Sequence, residues 1–422
     1  MTTSHAQYLS HGALFLVISI VLGYGADYAF NLTLSQHLSV AAYGDYKVAY
    51  SFTTLASVLV LLGGDRLAPR ILARPISEQQ TQTVMAYLVF YLKYAAMISC
   101  LVIALTWGAS FLYVVSFDKA DHHALAIMVI AVPLIAVGAI LSRVLQSAKQ
   151  LAAANLPWRL ALPLGKTLLV LAAAQFVVTL SLIHVIAIGI LVVSVIVLWQ
   201  LFYLNKHHLL ARYAPSKTLD NKQLLQLSIP MMLAMLVTML LNQADIFMLE
   251  LISHEHHVGH FGAANTLAHL IPVTQVTIAS LFMPLIGHYF DKQPEEAKAL
   301  FHKAQRVTVL CIVTVVIALM LFAKPLLTLF GTEYQHAESA LLWLIAGYGI
   351  WALVAPSVTW QQYQGKGQQI VWIGLLAIVV DIGANLVLIP RYDVAGAAMA
   401  TALALSIAAI AVVLLNRSNT SQ

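Results

Sequence analysis

Apolar runs long enough to cross a hydrocarbon core of ~30 Å at ~1.5 Å per residue recur along the whole chain. They lie near 9–34, 46–64, 82–107, 124–146, 155–178, 182–204, 224–250, 261–287, 304–324, 339–362, 369–389 and 395–416. Short polar connections part them, so the pattern predicts twelve membrane-spanning helices, with the turn at Ser181-Leu182 the narrowest division. The longest polar connection between the two sets of six, 205–222, carries Pro215, Ser216, Asp220 and Asn221. It reads as a cytoplasmic linker between an N-terminal lobe, 1–204, and a C-terminal lobe, 223–422. Six is even, so both lobes enter the membrane in the same direction and their symmetry axis runs along the membrane normal. The cleft between the lobes becomes the candidate pathway.

A repeat fits this division. Ala26-Asp27 recurs as Ala244-Asp245, each followed by an aromatic-glycine pair, Tyr43-Gly44 and Phe261-Gly262, at the same spacing. Gln146 and Gln364 share that ungapped offset of 218 residues. The expected fold is therefore all-α: a polytopic membrane protein whose twelve helices form two pseudo-symmetric six-helix lobes.

Composition agrees with that fold. Of 422 residues, 61% are hydrophobic and 9% charged, against about 25% charged in soluble domains. Most Lys and Arg fall on one side of the predicted membrane: Arg66, Arg70, Arg74, Arg143, Lys149, Arg159, Lys206, Arg212, Lys217, Lys222, Lys292, Lys298, Lys303, Arg306, Lys366 and Arg417. The other side holds Lys47, Lys119, Lys324 and Arg391 among acids such as Asp118, Asp121, Glu255, Glu333, Glu338 and Asp393. The positive-inside rule then puts both termini in the cytoplasm, and the net charge of +5 needs no nucleic-acid partner. The first run reads as a retained helix rather than a signal peptide. Cys100 and Cys311 sit mid-helix as small hydrophobes.

Two local features shape the helices. From Asp291 to Arg306, Pro294, Glu295 and Glu296 lead and Lys303 and Arg306 close, which predicts a short helix along the inner surface. Pro133, Pro163, Pro272, Pro284 and Pro356 fall within spans, where each removes a backbone hydrogen bond and can bend its helix.

Five charged residues lie well inside spans: Asp27, Lys93, Lys166, Asp245 and Asp381. A charge at the bilayer centre costs about 2.5–3.5 kcal/mol on insertion scales, so such groups should face a wet cavity or one another. Lys93 and Lys166 suit a phosphate or pyrophosphate that crosses the bilayer. Asp27, Asp245 and Asp381 suit a coupling ion, H+ or Na+. His254, Glu255, His256, His257 and His260 crowd one external connection, but Val258 occupies the last position of a His-Glu-x-x-His motif, and no metal site or cofactor is expected. Trp360, Gln361, Gln362, Tyr363 and Gln364 collect near the inner end of a span, chiefly as interface anchors, with a sugar contact as the lesser option.

Tyr43-Gly44-Asp45-Tyr46, Phe261-Gly262, and the run Asn385-Leu386-Val387-Leu388-Ile389-Pro390-Arg391-Tyr392 leading to Gly396-Ala397-Ala398 resemble the polysaccharide exporters, the Wzx-type flippases of the multidrug/oligosaccharidyl-lipid/polysaccharide (MOP) superfamily. The resemblance implies helices arranged around a central cavity, alternating access, and passage of a polyprenyl-pyrophosphate-linked oligosaccharide from the inner to the outer leaflet of a bacterial cytoplasmic membrane. Membrane lipids and other polysaccharide-assembly proteins would be its partners. The drug/cation antiporters of the same superfamily also carry an acid in their first helix, which keeps that alternative open through Asp27 and Asp245. A membrane-embedded glycosyltransferase or ligase fits less well, because the external connections are short and show no catalytic couple, so the chain reads as a non-enzyme.

Overall fold

The computed structural model describes residues 2–117, 123–177, 179–211, 220–290 and 293–420. Asp118, Lys119 and Asp121, the linker residues Arg212, Pro215, Ser216 and Lys217, and Asp291 and Lys292 lie outside the described residues. Every regular element among the described residues is helical. In chain order these are α1 (Thr2–His37), α2 (Val40–Val60), α3 (Gly64–Ser77), α4 (Thr81–Phe117), α5 (His123–Met128), α6 (Ala131–Ser147) and α7 (Leu151–Leu156). A π-helical turn, Pro157–Ala161, joins α7 to α8 (Leu162–Phe176), and α9 (Leu182–Lys206) follows. The second half holds α10 (Asn221–Ile252), α11 (Glu255–Ala268), α12 (Leu270–Tyr289), α13 (Pro294–Leu321), α14 (Ala323–Phe330), α15 (Glu338–Tyr363) and α16 (Gly367–Thr420), with a 3-10 turn at Thr332–Ala337.

Helix is the outcome that lipid enforces, since only intrahelical bonds satisfy a backbone with no water to turn to. Nine helical stretches among the described residues are long and apolar enough to cross a membrane. The twelve expected spans reduce to this number through three local features. α2 and α3 form one span bent by 46°; α6, at 17 residues, is shorter than the rest; and α16 runs through two spans, broken at Asp393 by a non-helical φ of 45° and ψ of −121°.

Proline explains several breaks. A proline ring clashes with the carbonyl four residues earlier. Pro133 and Pro272 therefore disfavour helix at Val129, in the gap between α5 and α6, and at Ala268, where α11 ends and a single residue precedes α12. Pro163 acts on Arg159, inside the π-helical turn. Pro356 lies inside an unbroken α15. The segment from Pro294 to Arg306 is not a separate surface helix: nothing after Arg306 breaks the turn, so it forms the first part of α13, with Pro294 at the start and Glu295 and Glu296 in the first turn.

The chain forms two compact units, one of residues 1–44 with 241–422 and the other of residues 45–240. This division differs from the sequence halves at both edges. α1 belongs to the unit of the second half, held there by Tyr24 Oη donating to the Thr266 carbonyl (2.9 Å), Gln36 donating to the Leu329 carbonyl (3.1 Å) and Tyr28 packed edge-on against Phe330. Residues 221–240 of α10 belong with the first half, where Tyr91 Oη donates to the Leu224 carbonyl (3.3 Å). The core of that second unit is built from Leu67, Leu72, Tyr87, Tyr91, Ile140 and Val144.

The helix ends set the true register of the repeat. α7 and α16 begin at Leu151 and Gly367, each just after a left-handed residue, Lys149 or Gly365; both pairs are 216 residues apart. α2 and α11 begin at Val40 and Glu255, 215 residues apart. Gly44 and Gly259 confirm the latter spacing by contact: a Cβ on Gly44 would strike the backbone of Glu255 and Gly259, and one on Gly259 would strike the backbone of Val40. Each glycine thus admits the other repeat's chain. The partner of Gly44 is Gly259 rather than Gly262, and Asp27 and Asp245 correspond to Asn242 and Phe30 rather than to each other. The π-helical turn holds one extra residue, which converts 216 to 215 beyond it. Lys166 of α8 and Asp381 of α16 then occupy equivalent positions.

Candidate functional site

In the first unit, α10 and α16 bring two acids together inside the protein. Asp245 is 3% exposed and Asp381 2%. Asn385 Nδ2 donates to Asp245 Oδ1 (2.8 Å) and Thr401 Oγ1 to Asp245 Oδ2 (2.6 Å). Thr401 also lies 3.2 Å from the Ala397 carbonyl, and its single proton favours the shorter, charge-assisted contact. Asp381 interacts electrostatically with Asp245, yet neither of its oxygens has a hydrogen-bond partner; Asn385 Oδ1, one turn along the same helix, has none either.

Neighbouring helices hold this arrangement. A Cβ on Gly347 would meet the backbone of Ala402, so α15 and α16 can approach closely beside Thr401. That approach carries Tyr348 within electrostatic reach of both acids. Its hydroxyl donates to Asn265 Oδ1 (2.9 Å), and the ring of His269 packs edge-on against it at 5.5 Å. His269 Nδ1 lies 3.0 Å from the Asn265 carbonyl. The result is a polar island enclosed by apolar helices.

Chemically, two carboxyl groups in such surroundings cannot both remain anionic without a counter-charge. A proton shared by the pair, or one hard cation taken by the oxygens of Asp245, Asp381 and Asn385, supplies it. Asp27 has a different setting. It is exposed on α1 and accepts from Asn31 Nδ2 (3.1 Å), while Asn31 Oδ1 accepts from the buried Tyr43 hydroxyl (3.1 Å). Its hydrogen bonding leads to Tyr43 and not to the Asp245–Asp381 pair.

In the second unit, Lys166 of α8 is 5% exposed and lines a cavity of about 230 Å³. Its ammonium lies 3.5 Å from the Tyr46 hydroxyl and 5.3 Å from the Tyr50 ring centre. Those two rings stack 6.0 Å apart at 12°. Trp158, presented by the π-helical turn, and Thr53 and Thr54 complete the polar and aromatic part of the wall, and the buried Thr53 hydroxyl has no hydrogen-bond partner. One cation, flat rings and hydroxyls are groups that bind phosphates and sugars. Lys93 does not line this cavity. It is exposed on α4, on the four-residue stripe of Val89, Met97 and Leu101.

The sequence thus located Asp245, Asp381 and Lys166 without the groups that support them. Asn385 carried a signal, standing one turn from Asp381, whereas Thr401 lies beyond the break at Asp393, Tyr348, Tyr46 and Tyr50 stand on other helices, and all four are ordinary in composition. The histidines between α10 and the middle of α11 also gather: Ser253 Oγ lies 2.6 Å from His257 Nδ1 and donates to Asp393 Oδ1 (3.1 Å), and His260 Nε2 lies 3.0 Å from the Glu333 carbonyl.

A multi-pass helical scaffold carries an acid pair buried in one unit and a lysine cavity in the other, and its fold is shared by solved membrane transporters. A multidrug resistance MATE family transporter in its inward-facing conformation matches with a TM-score of 0.75 at 15% identity, covering 96% of this chain and 98% of that one. The lipid II flippase MurJ, inward closed, matches with a TM-score of 0.76 at 13% identity, covering 97% and 87%. A MOP superfamily transporter from Pyrococcus furiosus, described as having a binding pocket of reverse polarity, matches with a TM-score of 0.64 at 16% identity, covering 98% and 96%. The chain belongs to the polysaccharide biosynthesis protein family (Polysacc_synt), whose pattern it matches over residues 9–290. The MatE family pattern matches residues 230–387. No curated protein matches the chain.

Proposed function

We propose that this protein is a flippase that moves a polyprenyl-pyrophosphate-linked oligosaccharide from the cytoplasmic to the outer leaflet of a bacterial inner membrane by alternating access, driven by H+ or Na+. Family membership supports the saccharide cargo. The observation that carries the mechanism is the buried Asp245–Asp381 pair, in which both Asp381 oxygens lack a hydrogen-bond partner and call for an ion. In this reading one or more of Asp27, Asp245 and Asp381 couples the cycle to the ion, with the buried pair foremost, and Lys166 and Lys93 receive the pyrophosphate. In this proposal the repeated halves, 1–204 and 223–422, act as the lobes of the transport cycle although the compact units exchange α1 and residues 221–240 between them, and both termini are cytoplasmic.

Reconstitution tests it. In proteoliposomes loaded with a polyprenyl-pyrophosphate saccharide on one leaflet, an imposed pH or Na+ gradient should speed its appearance on the other, and the effective gradient identifies the ion. No gradient-dependent movement would refute the proposal. A MATE-type cation-coupled drug antiporter is the second reading, favoured because the MatE match spans both Asp245 and Asp381. It requires gradient-driven extrusion of cationic dyes by the same vesicles.

A further inference from the structure

A group of arginines outside the lysine cavity is not absorbed by this mechanism. Arg66 starts α3, Arg143 is near the end of α6, and Arg159 lies in the π-helical turn. All three are within the second compact unit. Arg143 interacts electrostatically with Arg66, with Arg159 and with Asp65. Asp65 is buried, at 4% exposed, and pairs with Arg66 at 3.1 Å, but its Oδ1 has no hydrogen bond. Arg143 Nη1 donates to Gln146 Oε1 (2.7 Å), a neutral partner. Arg143 thus has two guanidinium groups and one carboxylate, that of Asp65, within electrostatic reach.

Like charges repel at this range, and an excess of guanidinium over carboxylate is retained at a cost unless another anion completes the group. Arginine forks match the oxygens of phosphate in pairs, which a lysine does not do. α3 leaves α2 at a bend of 46° and packs against α6. The amphipathic α3 continues from Arg66 through Arg70 and Arg74 at four-residue spacing, while Leu67, Ala68 and Leu72 are buried behind them. Arg74 is already engaged by Glu78 at 2.7 Å, as Arg66 is by Asp65. By topology the ends of the second and fourth spans and the start of the fifth share one membrane face, the face rich in Lys and Arg.

We infer that Arg66, Arg143 and Arg159 form a docking site for a phosphate or pyrophosphate lipid headgroup at the cytoplasmic mouth of this unit, next to Trp158 and roughly 10 Å along the helix from Lys166. The inference deepens the flippase reading and rests on it for the order of events: the headgroup meets the arginines first and Lys166 second. Asp65 holds Arg66 in place and also competes with the ligand.

The test uses the full chain in phosphatidylcholine nanodiscs, titrated with a short-chain polyprenyl pyrophosphate lacking sugar or with phosphatidylglycerol. Binding of the pyrophosphate probe should weaken roughly tenfold in Arg159→Gln and in Arg66→Gln/Arg143→Gln, the scale of one lost charge-assisted contact. Asp65→Asn should bind more tightly, an outcome that a folding defect cannot produce. Equal weakening toward phosphatidylglycerol assigns the site to bulk phospholipid; weakening for the pyrophosphate alone assigns it to the cargo class. Unchanged affinity for both probes in monodisperse Arg159→Gln overturns the site. Binding is read without transport, so arginine-dependent binding by a protein that flips no lipid-linked saccharide would sink the flippase reading and leave the site standing. Flipping with an unaltered KM in both arginine variants would do the reverse.

Discussion

Lys166 and Asp381 stand at equivalent points of the repeat, both almost fully buried, yet one is a base and the other an acid. Their surroundings differ as much as their charges. Lys166 rests against the Tyr46 hydroxyl and the face of Tyr50 and opens onto a cavity. Asp381 has no hydrogen bond and faces the charge of a second carboxylate. The two units thus place groups of opposite charge at the same point of the repeat. The lysine already has a hydroxyl and a ring face beside it, whereas the Asp381 oxygens lack hydrogen-bond partners, which under the proposed function leaves the acid pair, and not the lysine, dependent on its ligand.

That contrast predicts unequal damage. Asp381→Asn should remove gradient-driven transport almost wholly, on the order of 100-fold, the equivalent of about 2.7 kcal/mol of lost ion binding. Flux measured with and without the gradient checks this, and gradient-stimulated flux at the wild-type rate would mean that the pair does not couple. Lys166→Ala should do less. The aromatic wall and the Thr53 and Thr54 hydroxyls persist, so the KM for the pyrophosphate-linked cargo should rise about tenfold, or ~1.4 kcal/mol, with the gradient response intact. A variant that instead lost its gradient response would erase the division of labour between the units.

Much of this scaffold was legible in the sequence, because apolar run length reports the bilayer directly. The acids and the lysine stood out for the same reason: each is expensive in oil. Register was harder. Asp27 and Asp245 share a tempting motif, but helix ends differing by a few residues and one π-helical turn move the true correspondence to Gly44 with Gly259 and Lys166 with Asp381. Apolar sequence holds few landmarks for such shifts. Asp65 was hidden in the break between α2 and α3, where Gly63 and Gly64 suggest a loop, although the residue is buried. Thr401 and Tyr348 were invisible because only the tertiary approach at Gly347 gives them a role.

The glycine crossing offers a structural control within the first unit. Gly44→Val forces a side chain into the backbone of Glu255 and Gly259, which cannot move aside as a flexible side chain would. Overpacking of this kind costs about 1–3 kcal/mol. Thermal unfolding of the purified protein should shift downward by a few degrees, on the order of 2–4 °C per kcal/mol for a sizeable domain. Gly259→Val, the other side of the crossing, should cost a similar amount, because its side chain would strike the backbone of Val40. Wild-type stability in either variant would show that the two glycines do not form the crossing.

The smallest effect is expected at Lys93, and it sharpens the comparison between the two lysines. Lys93 shares its stripe of α4 with Val89, Met97 and Leu101 and lies outside the cavity that holds Lys166. A long side chain there can carry its ammonium toward the polar boundary while its methylene groups stay in apolar surroundings. Lys93→Ala should therefore alter cargo KM by no more than about twofold, well under 1 kcal/mol. Measured beside Lys166→Ala in the same vesicles, a comparable rise in KM would place Lys93 on the cargo's path during some part of the cycle, and the pyrophosphate would then be passed between two lysines rather than received by one.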